Sequence, residues 1–489
     1  MKQKRMKMGA LLLLGLGLTA VQAQRMNVKT KSGTNTAYMI SDIRNMTYSG
    51  ANLVVTKVDA STTSFAIPDT RFINYSTGMT STWNGTRWIP SAPTALDNAI
   101  FNGNYSAAGF PCDNLTVNAG KQLTIASGNM AVGENFVLRS DATNGTATLI
   151  DNGNLTVGGT SSVEQYLTVA RQWWYLSSPL SAAKTTTFTD ATRTNKIGNY
   201  DEISTSYSAP LATNVPLTAG KGYVVKLSDA TDGIYTFTGG SLITGDVTLA
   251  PTRTGTTAGK RGFNLVGNPY PSYLDWNAAY TAIVNPISNL RNAIWYRTFD
   301  GAAMTFYTYS DGEGVPATVT KMIPPMQAFW IKVNQDGTPN STGSITFKNA
   351  YRAHATSTAN PLKVKAVSDR QKLRLVVANG TNTDETLIVG KSYASDNYDS
   401  YDIEKMSNDN PAIPEIFSMV DNQELVINSV NQLSVDKVIN LGFRPGQTGD
   451  FTIRATEIQQ FRKDSIYSLA IHLINIPMNN GHNTPLSKS

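Results

Sequence analysis

Cysteine and histidine, which much hydrolytic and metal chemistry requires, are nearly missing from this sequence: one cysteine, Cys112, and three histidines, His354, His472 and His482, in 489 residues. A single cysteine excludes an intramolecular disulfide. So few histidines and cysteines leave little from which to build a Ser-His-Asp relay or a zinc site. Gly-x-Ser-x-Gly, His-Glu-x-x-His and phosphate-cradling glycine loops are also absent, so no catalytic residue is assigned. Charge is scarce as well, at 16% of residues against about 25% in an average soluble protein. Thr, Ser, Asn and Gly take the place of those charges, and they favour strands and turns over helices.

The formal net charge of +6 and pI near 9.1 would suit a nucleic-acid ligand. However, Lys2, Lys4, Arg5 and Lys7 fall in an N-terminal leader without acidic residues, and removing those four leaves +2. A nearly neutral protein lacks the basic face that phosphate binding needs, so nucleic acid is not expected as a partner.

In the leader, this basic start is followed by an apolar run from Met8 to Leu18 and by Val21-Gln22-Ala23. That order is the pattern of a secretory signal peptide, residues 1–23, cleaved between Ala23 and Gln24. The apolar run falls short of the roughly 20 residues a transmembrane helix needs, no later segment reaches that length, and no Cys follows the cleavage point to carry a lipid. The expected product passes through the Sec export machinery and has no transmembrane anchor.

What remains reads as all-β. Residues 24–80 hold a duplicated short β repeat: Tyr38, Ile40, Asp42, Arg44 and Tyr48-Ser49 recur 27 residues later as Phe65, Ile67, Asp69, Arg71 and Tyr75-Ser76. Alternation leading into Asp-x-Arg predicts short paired strands, with Asp and Arg as turn caps and local salt bridges rather than a ligand site. Across 81–165, short apolar rungs (Leu115–Val117, Leu123–Ile125, Phe136–Leu138, Leu149–Ile150, Leu155–Val157) alternate with Asn-, Ser- and Gly-rich corners. This predicts a β-solenoid-like stack, with a sandwich as the alternative. Residues 166–352 are rich in aromatics and predict a β-sandwich, jelly-roll-like, and 361–461 predict a second. The tail, 462–489, is expected to be disordered or aberrant.

Four patches resemble β-rich surface proteins exported through the bacterial type IX secretion pathway. They are the duplicated Ile-x-Asp-x-Arg unit; Trp83-Asn-Gly-Thr…Trp88 with its Leu-Thr-Val rungs; Asn264-Leu-Val-Gly-Asn-Pro-Tyr-Pro-Ser272 with Asp275-Trp276; and Asp384-Glu385 through Ala394-Ser-Asp396 and Tyr401-Asp402 to Lys405-Met406. The resemblance implies an adhesin-like protein on the outer-membrane surface or in the extracellular space, delivered by a C-terminal sorting domain. From Arg462 onward the sequence departs from that pattern, so the sorting domain is expected to be missing or disrupted, which would leave the product periplasmic.

The candidate ligand sites are few. Asp396, Asp399 and Asp402 could supply oxygens to Ca²⁺, although a solvated acidic loop is the preferred reading; Ca²⁺ is an option and no other cofactor is expected. Asp311 and Glu313 in Ser310-Asp-Gly-Glu-Gly read as a hairpin turn rather than a carboxylate pair. Trp173 and Trp174 are adjacent in a strand and point to opposite faces, so if one fills the core the other faces outward, into a partner domain, or toward a ligand. The sequence thus points to a non-enzymatic secreted or cell-surface structural or adhesin-like protein, with glycans, host matrix or other surface proteins as partners. The alternative is a carbohydrate-binding module or an accessory protein of glycan use. The weakest reading is a carboxylate-based polysaccharide lyase or glycosidase, which needs two acidic side chains converging in a cleft.

Overall fold

Short alternating runs separated by Gly, Asn and Ser favour strands over helices, and the protein, analysed as a computed structural model, is all-β. The structure describes residues 25–460 apart from 33–34, 77, 169–172, 190–194, 228–231, 258, 282–288, 300–302, 335–339, 355–369 and 435. The expected signal peptide, with Ala23 and Gln24, and the tail 462–489, with His472 and His482, lie outside the described residues. Among those described, the one α-helix is the short Trp276–Thr281. No helix there is long and apolar enough to cross a membrane. The chain divides into two compact units after Leu362.

The first unit opens with the duplicated segment, and each copy folds the same way. A strand (Asn35–Met39 or Thr62–Ala66) enters a one-turn 3₁₀ segment (Ile40–Asp42 or Ile67–Asp69) and leaves as a strand (Ile43–Ser49 or Thr70–Ser76). These strands, with Arg25–Thr30 and Asn52–Lys57, make two three-stranded antiparallel sheets. Met26, Val28 and Tyr38 of one sheet and Leu53, Val55 and Phe65 of the other share a core, with Tyr38 edge-on to Phe65 at 6.2 Å. The expected Asp–Arg salt bridges do not form: Asp42, Arg44, Asp69 and Arg71 make no ion pair among the described residues, and both Asp side chains are exposed on their 3₁₀ turns.

The five expected rungs are all strands, and they pair in parallel. The chain visits three faces in rotation. One ladder joins Thr80–Trp83, Asn98–Phe101, Leu115–Val117, Phe136–Leu138 and Ser161–Leu167; a second joins Tyr105–Ala108, Gln122–Ser127 and Thr148–Ile150; a third joins Pro111–Cys112, Met130–Val132 and Leu155–Val157. Inward side chains such as Phe101, Leu115, Phe136, Leu138, Ile125 and Leu149 are fully buried, each coil covering the next. A Cβ at Gly103 would lie 2.3 Å from Gly85 Cα, so this close approach of neighbouring coils requires glycine.

Strand Ser161–Leu167 also pairs, antiparallel, with Gly233–Thr238, which carries the same core into the aromatic-rich region through Phe188, Tyr235, Phe237 and Val225. The expected boundary at 165/166 therefore falls within a shared strand. Beyond it lie a four-stranded antiparallel sheet holding Trp173–Leu176 and Tyr223–Lys226 and a five-stranded one built on Phe263–Gly267, Ala328–Lys332 and Ile294–Phe299. Trp276, Tyr270, Phe329 and Phe347 pack in a second core.

The second unit is one mixed seven-stranded sheet in the order Asn440–Arg444, Glu415–Val420, Gln423–Val430, Thr383–Gly390, Lys372–Ala378 and Thr452–Gln459, with Ile403–Glu404 also paired to Gln423–Val430. Among the described residues of this unit only Thr383–Gly390 and Gln423–Val430 pair in parallel. Leu375, Val377, Ile388, Ile416 and Val430 form its core.

Candidate functional site

The coil register places polar residues in columns. Because Ala99, Leu115, Phe136 and Ser161 are cross-strand partners, the residues before them, Asn98, Asn114, Asn135 and Thr160, stack in line. Each amide bonds to the next coil: Asn114 Nδ2 donates to Asn98 Oδ1 (2.9 Å), the Asn135 backbone N–H donates to Asn114 Oδ1 (3.0 Å), and the Thr160 N–H donates to Asn135 Oδ1 (3.3 Å). This column is a structural ladder.

The opposite ends of the same strands carry a second column of different character. Phe101, Val117, Leu138 and Val163 are partners, so Asn102, Asn118, Arg139 and Glu164 follow one another up the stack. Asn118 Nδ2 donates to Asn102 Oδ1. Arg139 Nη1 donates to Glu164 Oε1 at 2.6 Å, with the arginine side chain 51% exposed and the glutamate 7%. These residues, with Lys121 on the following corner, line an open groove of about 540 Å³. One wall is the hairpin Ser140–Thr146, contributing Asp141 and Asn144, and Ile234 adds an exposed apolar surface. Backbone bonds fix the corners: Asn118 N–H to Phe101 O, Arg139 N–H to Val117 O, and Thr148 N–H to Lys121 O.

Two carboxylates, Asp141 and Glu164, thus share a groove. Asp141 accepts from the N–H groups of Thr143 and Asn144 and from the Asn144 amide, which hold its carboxyl below the usual range. Glu164 is taken up by Arg139 and by the Ser140 N–H (3.2 Å). The lowered pKa of Asp141 runs opposite to the raised pKa that a glycosidase acid needs. The groove presents amide, guanidinium and ammonium groups from Asn102, Asn118, Arg139 and Lys121.

Other chemically capable groups serve as braces. Arg352, fully buried, pairs with Asp151, donates to Leu149 O (2.7 Å) and Ser272 Oγ (3.1 Å), and stacks over Tyr270 at 4.9 Å. Two residues on, His354 bridges Thr124 Oγ1 (2.8 Å) and Thr148 Oγ1 (2.7 Å), and burial, helped by the Arg352 charge, lowers its pKa to about 4. The Glu202 carboxylate accepts the N–H groups of Thr254 (2.8 Å), Gly255 (3.1 Å) and Gly262 (2.7 Å). Burial pushes the Cys112 thiol up to about 12, so it is no nucleophile at neutral pH.

The residues singled out from sequence lie elsewhere. Trp173 is 37% exposed, with the Lys226 ammonium 5.3 Å from its ring centre. Trp174 turns to the other face, half-buried against the coil-stack core, its indole N–H on Thr168 O (3.0 Å). Trp276, Trp295 and Trp330 are buried and Trp83 and Trp88 pack on each other, so the tryptophans form no exposed row. Asp396 pairs with Lys437; Asp399 accepts the Ser395 and Tyr401 N–H groups; Asp402, fully buried, accepts those of Asp399 and Ser429. No group of three or more His, Cys, Asp or Glu side chains placed to hold a metal occurs among the described residues. Asp311 and Gly312 form the two-residue turn between paired Ser310 and Glu313, both at positive φ.

Lys121, Arg139, Asp141 and Glu164 were not singled out from sequence. The signal was present as Asn98-Ala-Ile-Phe-Asn102, Asn114-Leu-Thr-Val-Asn118, Asn135-Phe-Val-Leu-Arg139 and Thr160-Ser-Ser-Val-Glu164, each a polar residue, three strand residues and the column residue.

A family model described as a domain of unknown function (DUF8693) matches residues 74–476. No curated protein and no solved structure matches the chain.

Proposed function

We propose, for a chain that belongs to the DUF8693 family of unknown function, a non-enzymatic role: an exported, adhesin-like protein of the bacterial cell surface or extracellular space that acts by binding. The groove along Asn102, Asn118, Arg139 and Glu164 carries this reading. It gathers donors and acceptors from four successive coils, and its two carboxylates are engaged by neighbouring donors. Export is supported by the leader 1–23 with its Ala23/Gln24 cleavage point, and surface delivery by the resemblance to type IX secretion cargo. Ca²⁺ belongs to the proposal as an optional ion of the Asp396, Asp399 and Asp402 loop, outside the groove.

The test is an array of glycans and host-matrix proteins probed with the full chain, with and without Ca²⁺, beside an assay for release of reducing or unsaturated sugar ends. Binding without release of ends supports the reading. Turnover of any polysaccharide that is lost on Glu164→Gln or Asp141→Asn would replace it with the carboxylate-enzyme reading.

A further inference from the structure

The groove's composition narrows its ligand, an inference that rests on the binding reading above. Of its ionised groups, Lys121 and Arg139 are matched in number by Asp141 and Glu164, so the site has no net charge to attract a polyanion. Asn118 Nδ2 donates to Asn102 Oδ1, which leaves the Asn102 amide N–H groups as donors and Asn118 Oδ1 as an acceptor for neighbouring hydroxyls. Arg139 gives one N–H to Glu164, and the rest of its fork lies on a side chain half exposed at the groove. The Lys121 ammonium has no carboxylate within ion-pairing distance among the described residues, leaving three donors for hydroxyl oxygens. Ile234, 41% exposed, supplies the apolar surface against which a sugar ring face can rest.

The direction of the groove adds a second constraint. Its column advances one coil per residue, about 4.8 Å per step, which is close to the advance of one sugar residue along an extended glycan. Asn102, Asn118 and Arg139 therefore present one polar side chain per step to a chain lying along the stacking axis, with Glu164 anchoring Arg139, and that succession would be wasted on a monosaccharide.

We propose that this groove binds an uncharged polysaccharide or oligosaccharide chain, laid along the coil axis and held through its hydroxyls by Asn102, Asn118, Arg139 and Lys121. This site uses none of the tryptophans.

The experiment uses the full chain against immobilised neutral glycans (glucan, mannan, galactan, xylan and chitin oligomers) and acidic ones (alginate, hyaluronan, heparin). Asn102→Ala and Arg139→Lys are tested beside the parent, with folding followed by thermal unfolding. The lysine variant keeps the charge next to Glu164 but loses the fork. The expected result is binding to at least one neutral glycan that strengthens with chain length and weakens about tenfold or more in each variant, at an unchanged melting temperature. Should Asn102→Ala unfold, Lys121→Met serves instead. Preference for polyanions, or neutral-glycan binding indifferent to these variants, overturns the proposal. Binding to matrix proteins alone overturns it too, while leaving the adhesive reading intact; release of sugar ends removes both.

Discussion

Lowering the pH should loosen the seam between the coil stack and the Arg352–Ala353 strand through one residue, His354. Its ring lies between Thr124 and Thr148, half-buried, with the Arg352 guanidinium two residues away, and its pKa falls from 6.5 to about 4. The folded protein binds this proton only below about pH 4, whereas the unfolded chain binds it below 6.5. Between those values the unfolded state holds more protons, so stability is complete above pH 6.5 and declines as the pH falls toward 4. At 1.36 kcal/mol per pH unit the interval sets a ceiling of about 3 kcal/mol, and partial solvent exposure of the ring brings the expected loss to about 1–2 kcal/mol. The assay is chemical unfolding of the parent and of His354→Gln at half-unit steps from pH 8 to 4. The glutamine can still bond to both threonines but cannot titrate, so carboxylate contributions common to both proteins cancel. The difference between parent and variant should shrink or reverse by 1–2 kcal/mol as the pH drops. A difference that stays flat, or a ring that titrates near 6.5 by NMR in the folded state, would refute the reasoning.

Three further perturbations probe the same architecture. Arg352→Met strands the Asp151 carboxylate in a dry site and should cost about 3–5 kcal/mol, part of it recovered in Asp151→Asn/Arg352→Met; a loss below about 1 kcal/mol in denaturant unfolding would show the pair is not a brace. In the second unit a Cβ on Gly442 would sit 2.0 Å from Phe417 Cε2, so Gly442→Ala should destabilise that unit by about 1–3 kcal/mol, with Phe417→Leu relieving it in the double variant. Asn114→Ala removes three ladder bonds, to Asn98 and Asn135; a loss of about 1–3 kcal/mol is expected, with faster amide exchange at Leu115 and Phe136, and an unchanged exchange map would mean the ladder is decorative.

Much of this fold was legible in sequence. The rungs from Leu115–Val117 to Leu155–Val157 read as strands because inward Leu, Val, Ile and Phe alternate with Thr, and the Tyr38/Phe65 duplication reads as two copies because its strand, turn and strand are local. The groove was not legible in the same way. Asn102, Asn118, Arg139 and Glu164 lie 16, 21 and 25 residues apart, and the growing interval reflects corners of different length and the inserted Ser140–Thr146 hairpin. Only strand register brings them into one column, and register is a property of pairing rather than of any one segment. Most of the tryptophans mark cores: Trp276, Trp295 and Trp330 are buried, whereas Trp173 stands 37% exposed on its strand.

The few charged groups that are buried help to hold the first unit, whose single cysteine can form no intramolecular disulfide. A buried ion pair adds little net stability over a well-packed apolar pair, but it tolerates only the arrangement that satisfies it. Arg352 is satisfied only when Asp151 and Leu149 O of the coil stack and Ser272 of the aromatic region meet around it. Glu202 is satisfied only when the N–H groups of Thr254, Gly255 and Gly262 converge. Few charges and many neutral hydroxyls and amides therefore suit the two halves of the design: the charged groups fix how the sheets dock, and the exposed coil corners remain free to carry asparagines in register.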